Sequence, residues 1–188
     1  MLIPVTAAEP IVTLEDAKAH LRVDFGDDDA YITTLIGVAS TAVAERLERT
    51  LGLRTWDLRL DSEDVRCGFD IRLPGPPLVE VVSVKYRDTA GSEQTLAPDR
   101  YQVFGINAPH GGGLKLKSGS FWPSMSYGPE AVMVRYRAGY AEVPEPIKHA
   151  VLLTVGHLFA QRGEMVNANL MEEPAIKALL APYRVYGV

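Results

Sequence analysis

Between Arg54 and Tyr140 apolar residues recur at every second position, while on either side of that stretch they recur at every third or fourth. Period two is the alternation of a pleated strand, and the longer spacing is one face of a helix. A chain carrying both in blocks cannot be one uniform architecture. The expected fold is therefore α+β, a small α-helical bundle with an inserted antiparallel β unit. Residues 1–52 supply the N-terminal helices, 53–140 the inserted β domain, and 141–188 the C-terminal helices and tail that complete the helical domain. A chain of 188 residues with 47% apolar content is enough for one domain or two small ones with a real core.

The flanking helices announce their ends. Thr13, followed three residues later by Asp16, reads as an N-cap, and Leu14, Ala17 and Leu21 then make one apolar face of a short helix that breaks at Phe25-Gly26-Asp27. A longer helix is expected from Asp28 to Leu51, with Asp27, Asp28 and Asp29 at the favourable end of its dipole and Gly52 as C-cap. Its buried stripe is Ile32, Leu35, Ile36, Ala39, Val43 and Leu47. The stretch Pro146 to Arg162 is apolar on most sides, which predicts a buried central helix that begins with proline in its first turn and ends before Gly163.

Inside the insert, strands are expected near 54–60, 69–73, 79–86, 93–96, 101–104, 114–117 and 131–137, in a small antiparallel sheet folded on itself. Leu73-Pro74-Gly75-Pro76-Pro77-Leu78 is a rigid turn, Asp88-Thr89-Ala90-Gly91 a hairpin turn, and Gly111-Gly112-Gly113 reads as a flexible hairpin loop. Glu164 to Val188 offers little periodic apolar face and is expected to be loosely packed, with Ala175 to Leu180 as one or two helical turns.

No catalytic constellation emerges. His149 and His157 lie eight apart on one predicted helix, about 80° round the axis, which is not the i,i+4 spacing of a helical metal pair. The triple glycine lacks the lysine and hydroxyl residue of a phosphate loop, and the serines from Ser118 to Ser126 have no nucleophile-elbow context. Cys67 is the only cysteine, so an internal disulfide is excluded and nothing nearby activates its thiol. The expectation is no enzyme, no cofactor and no metal. The balance of 19 basic against 24 acidic residues gives a formal charge of −5, which argues against wrapping nucleic acid but not against a channel through which DNA slides. The start, MLIPVTAAEP, lacks the basic region and apolar run of a secretory signal, and no run of about 18 apolar residues appears. Neither export nor a membrane span is expected.

Several segments taken together are familiar. Thr13-Leu14-Glu15-Asp16-Ala17-Lys18-Ala19-His20-Leu21-Arg22-Val23 leads to an acid cluster and a long helix. Arg54-Thr55-Trp56-Asp57-Leu58 is followed by Ile71-Arg72-Leu73-Pro74-Gly75-Pro76-Pro77-Leu78, then by Val84-Lys85-Tyr86 and Tyr101. Val134-Arg135-Tyr136-Arg137-Ala138-Gly139-Tyr140 then runs through Val143-Pro144 to Ile147-Lys148. In order and spacing this resembles the head–tail connector, or adaptor, proteins of long-tailed bacteriophages and of phage-derived gene transfer agents, over roughly Thr13 to Tyr183.

The resemblance implies a structural part of the particle neck, made in the bacterial cytoplasm. Such proteins form a ring, twelve-fold in the assembled particle, below the portal protein. The ring extends the DNA channel without reading sequence, and offers a docking surface to a tail-side completion or stopper protein. The C-terminal segment typically reaches toward the portal, so Pro182, Tyr183, Arg184 and Tyr186 are the expected docking residues. The insert from Arg54 to Tyr140 exceeds the most compact, nearly all-helical members, which leaves its own partner open. Two alternatives stand beside this reading: a tail-completion or stopper protein, and a small binding or enzymatic domain with its site on the β unit near Trp122 and the glycine loop.

Overall fold

The computed structural model describes residues 1–66, 70–161 and 173–184. It divides into two compact units, Met1–Ala8 with Leu53–Tyr140, and Glu9–Gly52 with Ala141–Val188.

The helical unit starts as the sequence demands. Helix α1 (Leu14–Leu21) carries a full capping box, in which Thr13 Oγ1 accepts from the Asp16 amide at 3.1 Å and Asp16 Oδ2 accepts from the Thr13 amide at 3.3 Å. Helix α2 (Asp29–Leu47) buries all six expected stripe residues, Ile32, Leu35, Ile36, Ala39, Val43 and Leu47. It stops four residues short of the expected Leu51. Glu48 takes the left-handed conformation (φ 53°), and its amide closes on the carbonyls of Ala44 and Glu45. Gly52 is therefore not the C-cap. A Cβ there would lie 2.0 Å from the Glu9 carbonyl oxygen, so close backbone approach fixes this residue as glycine.

Helix α4 (Glu145–Ala160) has Pro146 in its first turn and buries Ile147, Ala150, Val151, Thr154 and Val155. Thr154 Oγ1 donates to the Ala150 carbonyl at 2.8 Å, which satisfies the hydroxyl inside the core. The expectation of burial on most sides is corrected: Leu152, Leu153, Leu158 and Phe159 are only half-buried, because α1, α2 and helix α5 (Pro174–Leu180) cover one side of α4. The expected helix end at Arg162-Gly163 lies outside the described residues, and α4 closes at Ala160 with the Gln161 amide on the His157 carbonyl. The C-terminal segment, expected to pack loosely, is in part well packed. Ile176 and Leu180, one turn apart on α5, are 0% and 3% exposed and join the helical core.

The other unit begins before the helices. Strand β1 (Leu2–Pro4) pairs antiparallel with β2 (Arg54–Leu60), Leu2 opposite Leu58. The first eight residues, expected with the helices, accordingly group with the sheet. After a short helix α3 (Ser62–Arg66) come β3 (Ile71–Leu73), β4 (Leu78–Arg87), β5 (Glu93–Thr95), β6 (Tyr101–Phe104), β7 (Gly112–Leu116) and β8 (Val132–Ala138). They form two sheets rather than one folded sheet, five strands in the order β1-β2-β8-β4-β5 and three in the order β3-β7-β6. Leu58, Val84, Val132, Val134 and Tyr136 from the first sheet and Ile71, Leu73, Tyr101 and Leu114 from the second share one buried cluster. Both faces contribute alternate residues, as in two sheets packed on each other.

The triple glycine is not a flexible loop. Gly112 and Gly113 lie within β7, the central strand of the small sheet. A Cβ on Gly113 would meet the Ile71 carbonyl oxygen at 2.2 Å, and one on Gly112 the Phe104 carbonyl oxygen at 2.5 Å. The neighbouring strands approach closer than any side chain allows, which is the role of glycine in a strand interior.

Candidate docking site

The expected docking residues lie at the end of the helical unit. Residues Ala181–Tyr183 form a 3₁₀ turn directly after α5. Ile176 and Leu180 anchor that helix in the core, so the turn is held at a fixed place. Arg49, just past the end of α2 and 8% exposed, donates from Nε to the carbonyl oxygen of Tyr183 at 2.5 Å. The side chains of Pro182 and Arg184 remain exposed and that of Tyr183 is half-buried. The structure thus brings Pro182, Tyr183 and Arg184 together, whereas Tyr186 lies outside the described residues.

Beside the turn is a pocket of about 180 Å³ lined by Arg46, Leu47, Lys177, Leu180, Ala181 and Arg184. It joins residues more than 130 positions apart, and sequence reasoning missed it for that reason. Arg46 was visible as a cation near a helix end, but nothing in the sequence pairs it with Lys177.

Among the described residues the histidines do not gather into a metal-holding set. His20 and His149 meet edge to face with ring centroids 6.0 Å apart, and burial followed by the nearby His149 charge lowers the pKa of His20. His157 Nε2 lies 2.7 Å from Glu173 Oε2. Among the described residues no three of His, Cys, Asp and Glu cluster to hold a metal ion. Cys67 lies outside them. A two-pronged charge pair in the β unit is structural in form: Arg135 Nε and Nη2 donate to both oxygens of Asp57 at 2.7 and 2.8 Å across strands β8 and β2. That fork holds the Asp57 carboxyl below its usual range and raises Arg135. Tyr136, fully buried, donates from its hydroxyl to the Pro74 carbonyl at 2.8 Å, and desolvation pushes its pKa up. Trp122, one residue of the alternative site, is half-buried against the sheet core, while Phe121 is 80% exposed. Gly112 and Gly113 there lie inside strand β7.

The described residues form a helical unit and a unit of two antiparallel sheets, an α+β architecture. Residues 11–93 match the phage gp6-like head-tail connector protein family, a stretch that runs from the residues before α1 to the start of β5. The resemblance read from the sequence is borne out by that match. No curated protein matches the chain. Among solved structures, a chain in "Virion of native gene transfer agent (GTA) particle" is similar with a TM-score of 0.82 and 24% identity, covering 100% of this chain and 97% of that one. Chains in "Neck of empty GTA particle computed with C6 symmetry" and "Neck of native GTA particle computed with C12 symmetry" have TM-scores of 0.81 and 0.79, each at 23% identity with the same coverage. These likenesses establish the α+β fold over its full length. No helix among the described residues is long and apolar enough to cross a membrane.

Proposed function

We propose that this chain is a structural head–tail connector, a ring-forming adaptor in the neck of a phage or phage-derived particle. The observation that carries this reading is the likeness over the whole chain to proteins of gene transfer agent particles, two of them described as the neck, together with the connector-family match over residues 11–93. The six- and twelve-fold symmetries of those necks support self-association into a ring. In the particle the ring sits below the portal protein, extends the DNA channel and offers its other side to a tail-side completion or stopper protein. Its work is binding and positioning, without catalysis.

Pro182, Tyr183 and Arg184, with Tyr186 beyond them, dock on the portal. Arginine and tyrosine combine donors and apolar area and are frequent anchors of interfaces. The Arg49 bond to the Tyr183 carbonyl supports this by preorganising the segment, which lowers the ordering cost of binding. The test is genetic removal of the chain from a particle-producing strain. Full heads and separate tails should accumulate, and joining should return with the wild-type chain but not with a Pro182→Ala/Arg184→Ala variant. Normal joined particles without the chain would overturn the reading.

A further inference from the structure

The two sheets of the β unit treat their surface cations differently. On the large sheet Arg59 pairs with Glu130, Lys85 with Glu93, Arg135 with Asp57 and Arg137 with Glu80, at 2.6 to 3.0 Å. On the small sheet Ile71, Leu73, Tyr101 and Leu114 belong to the shared core, and the alternate residues Arg72, Gln102 and Lys115 are exposed. The ladder of β6 and β7 runs one pair further, because the Lys117 amide donates to the Arg100 carbonyl at 3.0 Å, and both of those side chains are exposed too. Among the described residues, none of Arg72, Arg100, Lys115 and Lys117 has a carboxylate at ion-pair distance. The nearest acids in sequence, Asp70 and Asp99, are exposed and pair with none of them. In a chain of net charge −5, four cations without acids on one face mark that face for an anionic partner.

The spacing of the cations narrows the choice of partner. Register places Arg72 opposite Gly113, so along β7 the cations stand at the levels of residues 113, 115 and 117. Levels two residues apart on a strand are about 7 Å apart, and the array spans about 14 Å, a length over which one DNA strand carries about four phosphates. Arg72 is also set in place. Its guanidinium carbon lies 5.1 Å from the ring centroid of Phe104, which stands across Gly113 on β6, a contact made by the plane of the group and not by its N–H edge. A protein partner is the poorer fit. Lysine is depleted at protein interfaces, which are anchored by large side chains seated in pockets. Here the Phe104 ring closes over Gly113, its Cζ 2.8 Å from where a Cβ would stand, and fills the hollow that the glycine leaves.

We propose that the outer face of the three-stranded sheet holds the phosphate backbone of duplex DNA through Arg72, Arg100, Lys115 and Lys117. Phosphate contacts of this kind carry no sequence information and let a duplex slide. The proposal gives the β insert a partner. The contact itself stands on charge and register; that the duplex is the particle's own DNA rests on the connector reading.

Fluorescence anisotropy of a labelled short duplex of random sequence, titrated with the full chain at several salt concentrations, tests the contact. Binding should weaken with salt at a log–log slope of about −3 to −4, the value for three to four neutralised phosphates. Lys115→Ala with Lys117→Ala should make that slope shallower by about 2, and the two changes to Glu should weaken binding about tenfold or more. Gln102→Glu, which puts a carboxylate opposite Lys115 without removing any cation, should weaken it several-fold. Arg59→Ala with Lys85→Ala, cations of the large sheet that already hold carboxylates, should bind as the wild type does. Thermal melts of every variant keep loss of binding apart from loss of fold. No binding at chain concentrations up to about 1 mM, above the usual range of non-specific affinities, overturns the proposal. So does a slope that the Lys115 and Lys117 changes leave unaltered in a folded chain. Tighter binding of polyglutamate than of the duplex at equal charge concentration gives the face to an acidic protein and overturns it as well. The measurement uses no particle, so its failure leaves the connector reading standing, and normal joining without the chain would overturn that reading while leaving the duplex contact in place.

Discussion

Arg49 Nε donates to the Tyr183 carbonyl oxygen at 2.5 Å, linking residues 134 apart in sequence at the end of the helical unit. A carbonyl past the last turn of a helix has no partner within that helix. A buried guanidinium is unfavourable unless its donors are used. Each group meets the other's need, and the turn that carries the exposed Pro182 and Arg184 is fixed as a result.

Arg49→Ala should lower unfolding free energy by about 2 kcal/mol, the range for hydrogen bonds to a charged group. Arg49→Lys should lose a smaller part, since an ammonium keeps charge but not the planar donor geometry. Urea unfolding measures the loss, and faster hydrogen exchange in α5 should accompany it. Unchanged stability and exchange in Arg49→Ala would show that the bond does not hold the turn.

Two glycine substitutions should act in opposite directions. Gly113→Ala puts a Cβ 2.2 Å from the Ile71 carbonyl oxygen, a backbone atom that cannot swing aside, and should cost at least about 2 kcal/mol. Gly37→Ala lies within α2 with nothing inside 4 Å of the new Cβ, and should stabilise by about 0.5–1 kcal/mol. Thermal midpoints of the two variants against the wild type decide both signs.

Acid should weaken the fold in two windows. The folded state disfavours the charged form of His20, so its pKa lies below the ordinary 6.5 and the unfolded chain binds more protons there. That stability is complete above pH 6.5 and is lost as pH falls through the ordinary value toward the folded one. Asp57, lowered from 3.8 by the Arg135 fork, contributes stability that is complete above pH 3.8 and lost below it. Denaturant titrations across pH should show His20→Gln flattening the first window and Asp57→Asn the second. A wild-type curve that rises on acidification through pH 6.5 contradicts the His20 sign.

What the sequence disclosed and withheld follows from the range of each interaction. Thr13 and Asp16 are three residues apart and form the expected box; the six-residue stripe of α2 is set by helix geometry, and it is buried as read. The β1 pairing escaped because Leu2 finds Leu58 across the chain, and three residues carry too little pattern to show a strand. The triple glycine was misread because glycine serves both as a flexible hinge and as a place where backbones touch, and only the neighbouring Ile71 and Phe104 carbonyls distinguish the two. In the same way Tyr183 and Arg184 can be picked from the sequence as residue types frequent at interfaces. Arg49 as their anchor, and Arg46 with Lys177 as walls of one pocket, cannot, because the fold alone makes them neighbours.

The β unit should be separable from the helical unit. Its buried cluster, from Leu58 to Ala138, is drawn wholly from residues 58–138, so that core needs no helix of the bundle. The helical unit likewise buries Ile32, Val43 and Leu47 of α2, Ile147 and Val151 of α4, and Ile176 and Leu180 of α5 from its own segments. A unit with its own core can fold alone. The cut belongs at residue 9 rather than at the N-terminus, since residues 1–8 group with the sheet. A chain joining residues 9–52 to 141–188 through a short glycine linker should retain helicity by circular dichroism and unfold cooperatively, with a lower midpoint because a smaller domain buries a smaller share of its surface. The complementary piece, residues 53–140 carrying 1–8 at either end by permutation, should give a β spectrum. A helical piece that is unfolded in water would mean that its stability comes from the insert, and the two units would then be one cooperative domain.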